Sequence, residues 1–186
     1  MNGSNGMSNL SFRGMSLFLK ARERFGNPRQ RLKEAGLEPG QAVLDYGCGI
    51  GSYAIPAAQI VGDSGVVYAL DIHPLAIEAV ARRAGKENLA NVETIQSNRD
   101  TGLSDESVDA ILLYDVLHSV PDKDALLREL HRVLKPGGFL SIVPDHMEEG
   151  VFLETVQGGN LFSLQARHGE AYQFTKRLNG RPELAS

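Results

Sequence analysis

The chain of 186 residues contains a single cysteine, Cys48, and no tryptophan. One cysteine excludes an intramolecular disulfide and a thiolate metal cluster, and it fits a reducing compartment. Apolar runs such as Ala110 to Tyr114 are far shorter than the ~18 residues of a membrane-spanning helix. The first residues have neither the basic nor the apolar region of a signal peptide. The composition therefore predicts a cytoplasmic protein without a membrane span.

Basic residues are fewer than acidic ones, and the formal net charge is −4. Nucleic-acid binding needs a clustered field of Lys and Arg. The densest basic group, over residues 22–33, is interrupted by Glu23. We therefore expect no nucleic-acid partner. Asp145 and His146 stand next to each other but lack a further ligand at metal-binding spacing, so no metal is expected either.

Short apolar runs alternate with helical patterns through the middle of the chain. Runs of this kind, bounded by turn residues, predict buried strands. They cover residues 42–44, 65–70, 92–95, 110–114 and 138–143. The clearest helix runs from its predicted cap Asp122 to Leu134, where Lys135 to Gly138 ends it. The alternation predicts an α/β protein, with helices on both faces of a parallel sheet.

The two ends of the chain follow other patterns. Apolar residues at helical spacing predict a helix over 12–25. Asn27 and Pro28 predict the cap and start of a short helix that runs to Ala35. Near the other end, residues 161–166 and 171–175 flank a turn and predict a β-hairpin added to the edge of the sheet.

A glycine-rich segment, Asp45 to Gly51, follows the first strand and precedes a helix. Glycines let the backbone turn sharply and approach a ligand, and a helix N-terminus offers N–H groups to an anionic part of it. Asp71 ends the next strand, where an acid can accept hydrogen bonds from both hydroxyls of a ribose. The pattern predicts a site for a ribonucleoside-like ligand.

The spacing departs from the dinucleotide fingerprint Gly-x-Gly-x-x-Gly. The third glycine, Gly51, comes one residue early, and Ser52 takes its place. Asp45 stands two residues before the first glycine, where a carboxylate repels a pyrophosphate and favours a cationic ligand. Both departures favour an adenosyl amino acid, and an NAD-dependent oxidoreductase is kept as an alternative.

Residues 43–51 together with Asp71, and the segments 107–113 and 130–138, resemble successive motifs of the class I S-adenosylmethionine-dependent methyltransferases. The small, single-domain members similar to methyltransferase types 11 and 25 are the nearest in pattern. The resemblance implies a Rossmann-like, doubly wound sheet of seven strands in the order 3-2-1-4-5-7-6, with strand 7 antiparallel. Ligands of such sheets bind beyond the carboxyl ends of the strands, where the order reverses.

The resemblance also implies S-adenosylmethionine as cofactor and S-adenosylhomocysteine as product. Asp45 would help to hold the methionine ammonium, directly or through water. The backbones of Gly47 and Gly49 would line the methionine and the ribose. Asp71 would bind the ribose hydroxyls, and Ile72 would pack on the adenine.

Further cofactor contacts would follow the later strands. Asn98 would accept a hydrogen bond from the adenine amine, and the backbone N–H of Arg99 would reach the ring. Tyr114 would border the reactive methyl, with its carbonyl as one contact. Cys48 is expected to be a small residue beside the cofactor rather than a reactive thiol.

Two residues after the fourth strand are catalytic candidates. His118 is the candidate general base because histidine titrates near neutrality, and Asp115 lies three residues before it. His146, after the fifth strand, is a weaker candidate of the same kind. The signature of DNA amino-methyltransferases, Asn or Asp before Pro-Pro-aromatic, is absent from 114–117.

The motifs divide the chain into an N-terminal tail with helices over 1–37, which could form a lid, a cofactor-binding domain over 38–177 and a frayed tail over 178–186. The predicted function is methyl transfer to a small-molecule acceptor by in-line displacement, in a monomer or a homodimer. A non-enzymatic methyltransferase-like binding protein or partner subunit is the other alternative.

Overall fold

The computed structural model describes residues 27–144 and 146–178. The helix predicted over 12–25 and nearly all of the predicted tail lie outside this part. The helices, with their bounds, are α1 (Pro28–Glu34), α2 (Ala54–Val61), α3 (Pro74–Lys86), α4 (Lys123–Val133) and α5 (Glu149–Gln157). The strands are β1 (Ala42–Tyr46), β2 (Val66–Asp71), β3 (Val92–Gln96), β4 (Val108–Tyr114), β5 (Leu134–Val143), β6 (Phe162–His168) and β7 (Ala171–Lys176).

The seven strands form one sheet in the order β3-β2-β1-β4-β5-β7-β6. Strands β1 to β5 are parallel, and β7 is antiparallel to both β5 and β6. The predicted fold class and strand order are confirmed. The order reverses between β1 and β4, so the carboxyl ends of these strands and their neighbours define one edge of the sheet, called here the carboxyl edge.

Each face of the sheet has its own apolar layer. Leu32 of α1, Ala58 of α2 and Val80 of α3 belong to one layer, and α4 and α5 supply the other. Strand β4 is buried on both faces, as expected for a central strand. Burial of a large apolar side chain contributes roughly 1.5–3 kcal/mol, so these layers hold the carboxyl edge in place.

Local signals predicted several helix boundaries correctly. The side chain of Asn27 accepts a hydrogen bond from the Gln30 backbone N–H at 3.0 Å, with Pro28 at the first helical position. Asp122 caps α4 by accepting from the Ala125 backbone N–H at 2.9 Å. Both caps satisfy donors that a helix N-terminus leaves unpaired.

Two predicted boundaries were wrong, and one helix was not predicted. Strand β5 begins at Leu134, directly after α4, where residues 135–138 were predicted to be a stop. Val108 pairs with Leu134 before a register shift, and this irregular pairing extends the strand. Strand β6 continues to His168 because it pairs with Ala171, so the hairpin turn is shorter than predicted. Helix α5 was not predicted at all, since its buried residues are only Phe152 and Val156.

No helix in the described part of the chain is long and apolar enough to cross a membrane.

Candidate functional site

The glycine-rich loop, residues 47–51, leaves β1 at the carboxyl edge and turns back against β2. The backbone N–H groups of Gly47 and Cys48 both donate to the Leu70 carbonyl, at 2.7 and 2.9 Å. Gly47, Gly49 and Gly51 have φ angles of 80°, 54° and 84°. These left-handed values favour glycine, so the sequence fixes the path of the loop.

Gly47 cannot gain a side chain without moving its neighbour. A Cβ at this position would collide with the side chain of Val116, which follows β4. The glycine therefore brings the backbone of the β1 loop against the segment that follows β4. This close approach forms a bare backbone surface at the point where the strand order reverses.

Asp71 ties the end of β2 to the same loop. Its Oδ2 accepts from the Gly49 backbone N–H at 2.9 Å, and its Oδ1 accepts from the His73 backbone N–H at 2.8 Å. Each carboxylate oxygen can accept a further hydrogen bond. Asp71 thus organises the loop and keeps acceptor capacity, and its role toward a ribose stays a prediction.

Ile72 is a large apolar side chain on the surface beside Asp71. Its exposed fraction is 51%. The next residue, His73, caps α3 by accepting from the Leu75 backbone N–H at 3.2 Å. The cap fixes the direction of the chain after β2, so that Ile72 presents an apolar surface next to the Asp71 carboxylate, and its packing on an adenine stays a prediction.

Asp45 is the most unusual acid of the described residues. It is only 3% exposed, and its Oδ2 is buried without a hydrogen-bond partner among the residues that the structure describes. Burial and the charge of Asp71 raise its pKa to about 7, against a hydrogen bond from the Ala54 backbone that lowers it. The charged form of such a buried acid would be stabilised by a positively charged group of a ligand.

Cys48 lies in the loop with its side chain buried. Burial, followed by the charges of Asp45 and Asp71, raises the pKa of its thiol far above the ordinary value. Because the thiolate is the nucleophilic form of cysteine, this environment keeps Cys48 unreactive. The place of Cys48 beside the cofactor stays a prediction.

Asn98 and Arg99 follow β3, whose end lies beside β2. The Ser97 backbone N–H donates to the Asp71 carbonyl at 3.1 Å, which places this segment next to the glycine loop. The Asn98 carbonyl accepts from the Tyr46 hydroxyl at 3.4 Å, and the Arg99 backbone N–H donates to Ser97 Oγ at 3.3 Å. Both side chains are exposed, and their contacts with an adenine stay predictions.

Tyr114 ends β4 with its ring under the loop. Its hydroxyl shares a hydrogen bond of 2.9 Å with Ser141, and its ring contacts the edge or face of Tyr53 at a centroid distance of 4.5 Å. The Tyr53 hydroxyl accepts from Arg31 at 2.6 Å, and Arg31 also binds Glu170 at 2.9 Å. Sequence reasoning missed this network, because its members are distant in the chain; only the position of Tyr53, directly after the loop, gave a signal.

The two histidine candidates come together at the carboxyl edge. His118 lies in a 3₁₀ turn, Leu117–Ser119, and His146 follows β5. Their rings meet edge to face at a centroid distance of 5.3 Å, and both side chains are exposed. Asp115 and His146 have φ angles of 59° and 62°. Backbone strain of this kind is common at functional sites, and the sequence gave no sign of the pairing.

The described residues contain no group of three or more His, Cys, Asp or Glu side chains placed to hold a metal ion. Asp145, considered beside His146, lies outside the described part. What the carboxyl edge does offer is a bare glycine loop, two carboxylates and an exposed apolar side chain.

Comparison with known proteins identifies the family of this chain. Residues 37–164 match the family model described as a methyltransferase domain. The chain belongs to this methyltransferase family. The assignment confirms the resemblance to class I S-adenosylmethionine-dependent methyltransferases, with S-adenosylmethionine as their cofactor, and it sets aside the dinucleotide alternative.

Curated relatives of this methyltransferase domain act on small molecules, by their names. A ubiquinone/menaquinone biosynthesis C-methyltransferase of Vibrio campbellii is 38% identical over 59% of this chain and 43% of its own length. An arsenite methyltransferase of Halobacterium salinarum is 33% identical over 71% of this chain and 33% of its own length. The chain thus spans less than half the length of these two relatives.

Among solved structures, a SAM-dependent methyltransferase from Aquifex aeolicus superposes on this methyltransferase domain with a TM-score of 0.70. It is 28% identical and covers 80% of this chain and 86% of that chain. The match extends over most of both chains.

Proposed function

We propose that this protein transfers the methyl group of S-adenosylmethionine to a small organic acceptor at the carboxyl edge of the sheet. The buried Oδ2 of Asp45, which has no hydrogen-bond partner among the described residues, carries the proposal, because the Asp45 carboxyl can pair with a cationic ligand at the loop that Asp71 also contacts. Asp45, Gly47, Cys48, Gly49, Asp71, Ile72, Asn98, Arg99 and Tyr114 are the proposed cofactor-binding residues.

The residues of the described part fit this cofactor. Gly47 would present only its backbone to the cofactor, because a Cβ at this position would collide with Val116. Asp45 would hold the ammonium, Asp71 the ribose hydroxyls, and Ile72 the adenine. When bound, the cofactor supplies an electrophilic methyl group on its sulfonium.

The chain itself would orient the acceptor and handle its proton. An acceptor that enters beside the ends of β4 and β5 meets Asp115, His118 and His146. His118 would take the proton from the attacking group of the acceptor, and its exposure lets that proton leave to water. The buried core beneath the glycine-rich loop would exclude water from the side of the site that faces the cofactor.

An organic acceptor is favoured over arsenite. Thiolates are the soft ligands that hold arsenic, and the sequence contains one cysteine, which is buried. The quinone-pathway relative points in the same direction, because it methylates carbon by its name. The proposal includes a cytoplasmic location and a monomer or homodimer, which size-exclusion chromatography with light scattering would distinguish.

Calorimetry with S-adenosylhomocysteine tests the cofactor site, and transfer of radiolabelled methyl tests the reaction. The acceptor panel would contain a short-chain demethylmenaquinol, a catechol and arsenite with excess thiol. Binding with transfer to an organic acceptor supports the proposal. Binding without any transfer favours a non-enzymatic binding subunit, and no binding at high protein concentration contradicts the cofactor site.

His118→Asn tests the catalytic assignment. We expect methyl transfer to fall by roughly 10²-fold, the usual contribution of a general base, while the Kd for S-adenosylhomocysteine stays within about twofold. His131→Asn is a matched control, because His131 contacts the Arg177 carbonyl at 2.9 Å, away from the carboxyl edge. Equal losses in the two variants would contradict the assignment.

A further inference from the structure

Asp45 combines burial with an absence of positive partners. Its carboxyl is 3% exposed, and no Lys or Arg in the described ranges forms an ion pair with it. Oδ2 has no hydrogen-bond partner among those residues. Among them, the Ala54 backbone hydrogen bond is the one interaction that favours the charged form, and a buried carboxylate without a positive partner costs far more free energy than the neutral acid.

The groups around Asp45 make its negative charge still less favourable. Asp71, at the end of β2, carries a negative charge that raises the pKa of Asp45 further. The Cys48 thiol and the Tyr114 phenol face it from the loop and from β4, and both are neutral at physiological pH because burial raises their pKa values.

One cation on that side of the sheet, Arg31, already has two partners. Arg31 donates to the Tyr53 hydroxyl at 2.6 Å and to Glu170 at 2.9 Å. Its charge is therefore balanced by Glu170, which belongs to the turn between β6 and β7. No described residue is left to neutralise a carboxylate at Asp45.

We propose that Asp45 carries a proton in the ligand-free protein and releases it to solvent when the ammonium group of the cofactor binds. The O–H bond of the carboxylic acid breaks, the proton goes to water, and the carboxylate left behind is neutralised by the ammonium. This inference rests on the proposed function, because it takes the adenosyl amino acid as the ligand. It adds that cofactor binding is a proton-exchange reaction.

The pKa of about 7 supports this state of Asp45. Below this pH the acid must lose its proton before it can pair with the ammonium, so affinity weakens as the pH falls. From about pH 8 to pH 6 we expect the Kd for S-adenosylhomocysteine to rise about tenfold, with the number of protons released rising from about 0.1 to about 0.9 per ligand.

The same coupling selects among adenosyl ligands. A ligand with an ammonium group, such as S-adenosylhomocysteine, gives the ionised Asp45 a partner. 5′-Methylthioadenosine has the same nucleoside and a thioether but no ammonium. It would bind the protonated and the ionised form of Asp45 about equally, release no proton and show less than about twofold change in Kd over the same range.

Calorimetry in two buffers of different ionisation enthalpy measures the protons directly. S-adenosylhomocysteine and 5′-methylthioadenosine would be titrated into the wild-type protein at about pH 6 and pH 8. Asp45→Asn should bind S-adenosylhomocysteine with a Kd that no longer changes with pH and with no proton release. Asp63→Asn, the same change at an exposed acid, should behave as the wild type.

The outcomes separate the inference from the proposed function. Binding of S-adenosylhomocysteine without proton release at about pH 6 overturns the inference and leaves the cofactor site intact. Equal proton release with 5′-methylthioadenosine also overturns it, because the ammonium would then not be the cause. No binding of either ligand contradicts both proposals. The wild-type proton count decides the matter even if Asp45→Asn does not fold.

Discussion

Asp45 and Glu129 are two acids whose surroundings shift their pKa values in opposite directions. Glu129, on α4, accepts from Arg132 at 2.7 and 2.8 Å and from the Thr101 hydroxyl at 2.6 Å. These hydrogen bonds, led by those from Arg132, lower its pKa to about 2. Burial raises that of Asp45 to about 7. The chain supplies every partner for one carboxylate and leaves the other for a ligand.

This difference separates a residue that serves the fold from one that serves the site. Buried polar groups in proteins are nearly always hydrogen-bonded, so each exception calls for an explanation. Glu129 joins α4 to the segment that leads into β4, and its loss should weaken folding. Asp45 weakens the folded state without ligand, and its loss should weaken binding instead.

The largest effect is expected from Gly47→Ala, which breaks the site without touching either acid. The new Cβ would collide with Val116, at a φ of 80° that alanine rarely adopts. We expect a loss of about 2 to 4 kcal/mol in the free energy of unfolding and binding of S-adenosylhomocysteine at least about 100-fold weaker. Urea denaturation and calorimetry measure the two effects.

Two further variants make that prediction specific. Gly85→Ala, in α3, adds a Cβ that meets nothing within 4 Å. It should raise stability by about 0.5 to 1 kcal/mol and leave binding unchanged, because alanine favours helix. Adding Val116→Ala to Gly47→Ala should restore part of the affinity. Full affinity in Gly47→Ala alone would show that the close approach is not needed.

Asp71→Asn should give the next largest effect. Two backbone N–H groups, of Gly49 and His73, donate to different oxygens of this carboxylate. An amide has one oxygen, so one N–H would face the NH₂ group. We expect stability to fall by about 1 to 3 kcal/mol and the Kd for S-adenosylhomocysteine to rise at least about tenfold.

Asp100→Asn provides the matched comparison for Asp71→Asn. Asp100 is exposed and accepts one backbone N–H, from Gly102, at 2.9 Å. An amide oxygen can replace that single acceptor, so stability should change by less than about 0.5 kcal/mol. Similar losses of affinity in the two variants would contradict the assignment of Asp71 to the site.

The sequence alone predicted the parts of the site that depend on neighbours in the chain. The loop from Gly47 to Gly51 and the acids Asp45 and Asp71 were found because turns and strand ends have local signatures. The caps at Asn27 and Asp122 were found for the same reason. The domain boundaries at 38 and 177 and the roles of the individual site residues stay predictions.

The missing parts depend on residues far apart in the chain. His118 and His146 meet because β4 and β5 pair in parallel, and no spacing between them predicts an edge-to-face contact. The link from Arg31 to Glu170 spans 139 positions. That Asp45 lacks a positive partner among the described residues is likewise a property of its whole surroundings, which only packing reveals.

Glu129→Gln sharpens the comparison from the side of the fold. Glutamine keeps the shape and loses the charged hydrogen bonds to Arg132, so stability near neutrality should fall by about 1 to 3 kcal/mol. Because the folded pKa is lowered from 4.5 to about 2, the wild-type contribution is present above the ordinary value and is lost as the pH falls toward the folded one. Thermal unfolding from neutral to acid pH measures both.

The variant should therefore lack the acid-sensitive part of the stability curve. Glu154→Gln changes an exposed acid on α5 and should follow the wild type at every pH. A Glu129→Gln curve parallel to the wild type down to low pH would mean that Arg132 does not depend on this carboxylate. Binding of S-adenosylhomocysteine should be unchanged in both variants.

Apart from the control variants, Asp45→Asn gives the smallest expected change in stability, and its sign is opposite to that of Glu129→Gln. Because the folded pKa of Asp45 is raised from 3.8 to about 7, its contribution is fully present below the ordinary value and is lost as the pH rises through the folded one. At about pH 8 the ligand-free variant should therefore be more stable than the wild type by about 1 kcal/mol or more, and the difference should shrink at about pH 5.5. Thermal unfolding at the two pH values measures it, and a variant less stable than the wild type at the higher pH would show that Asp45, like Glu129, serves the fold.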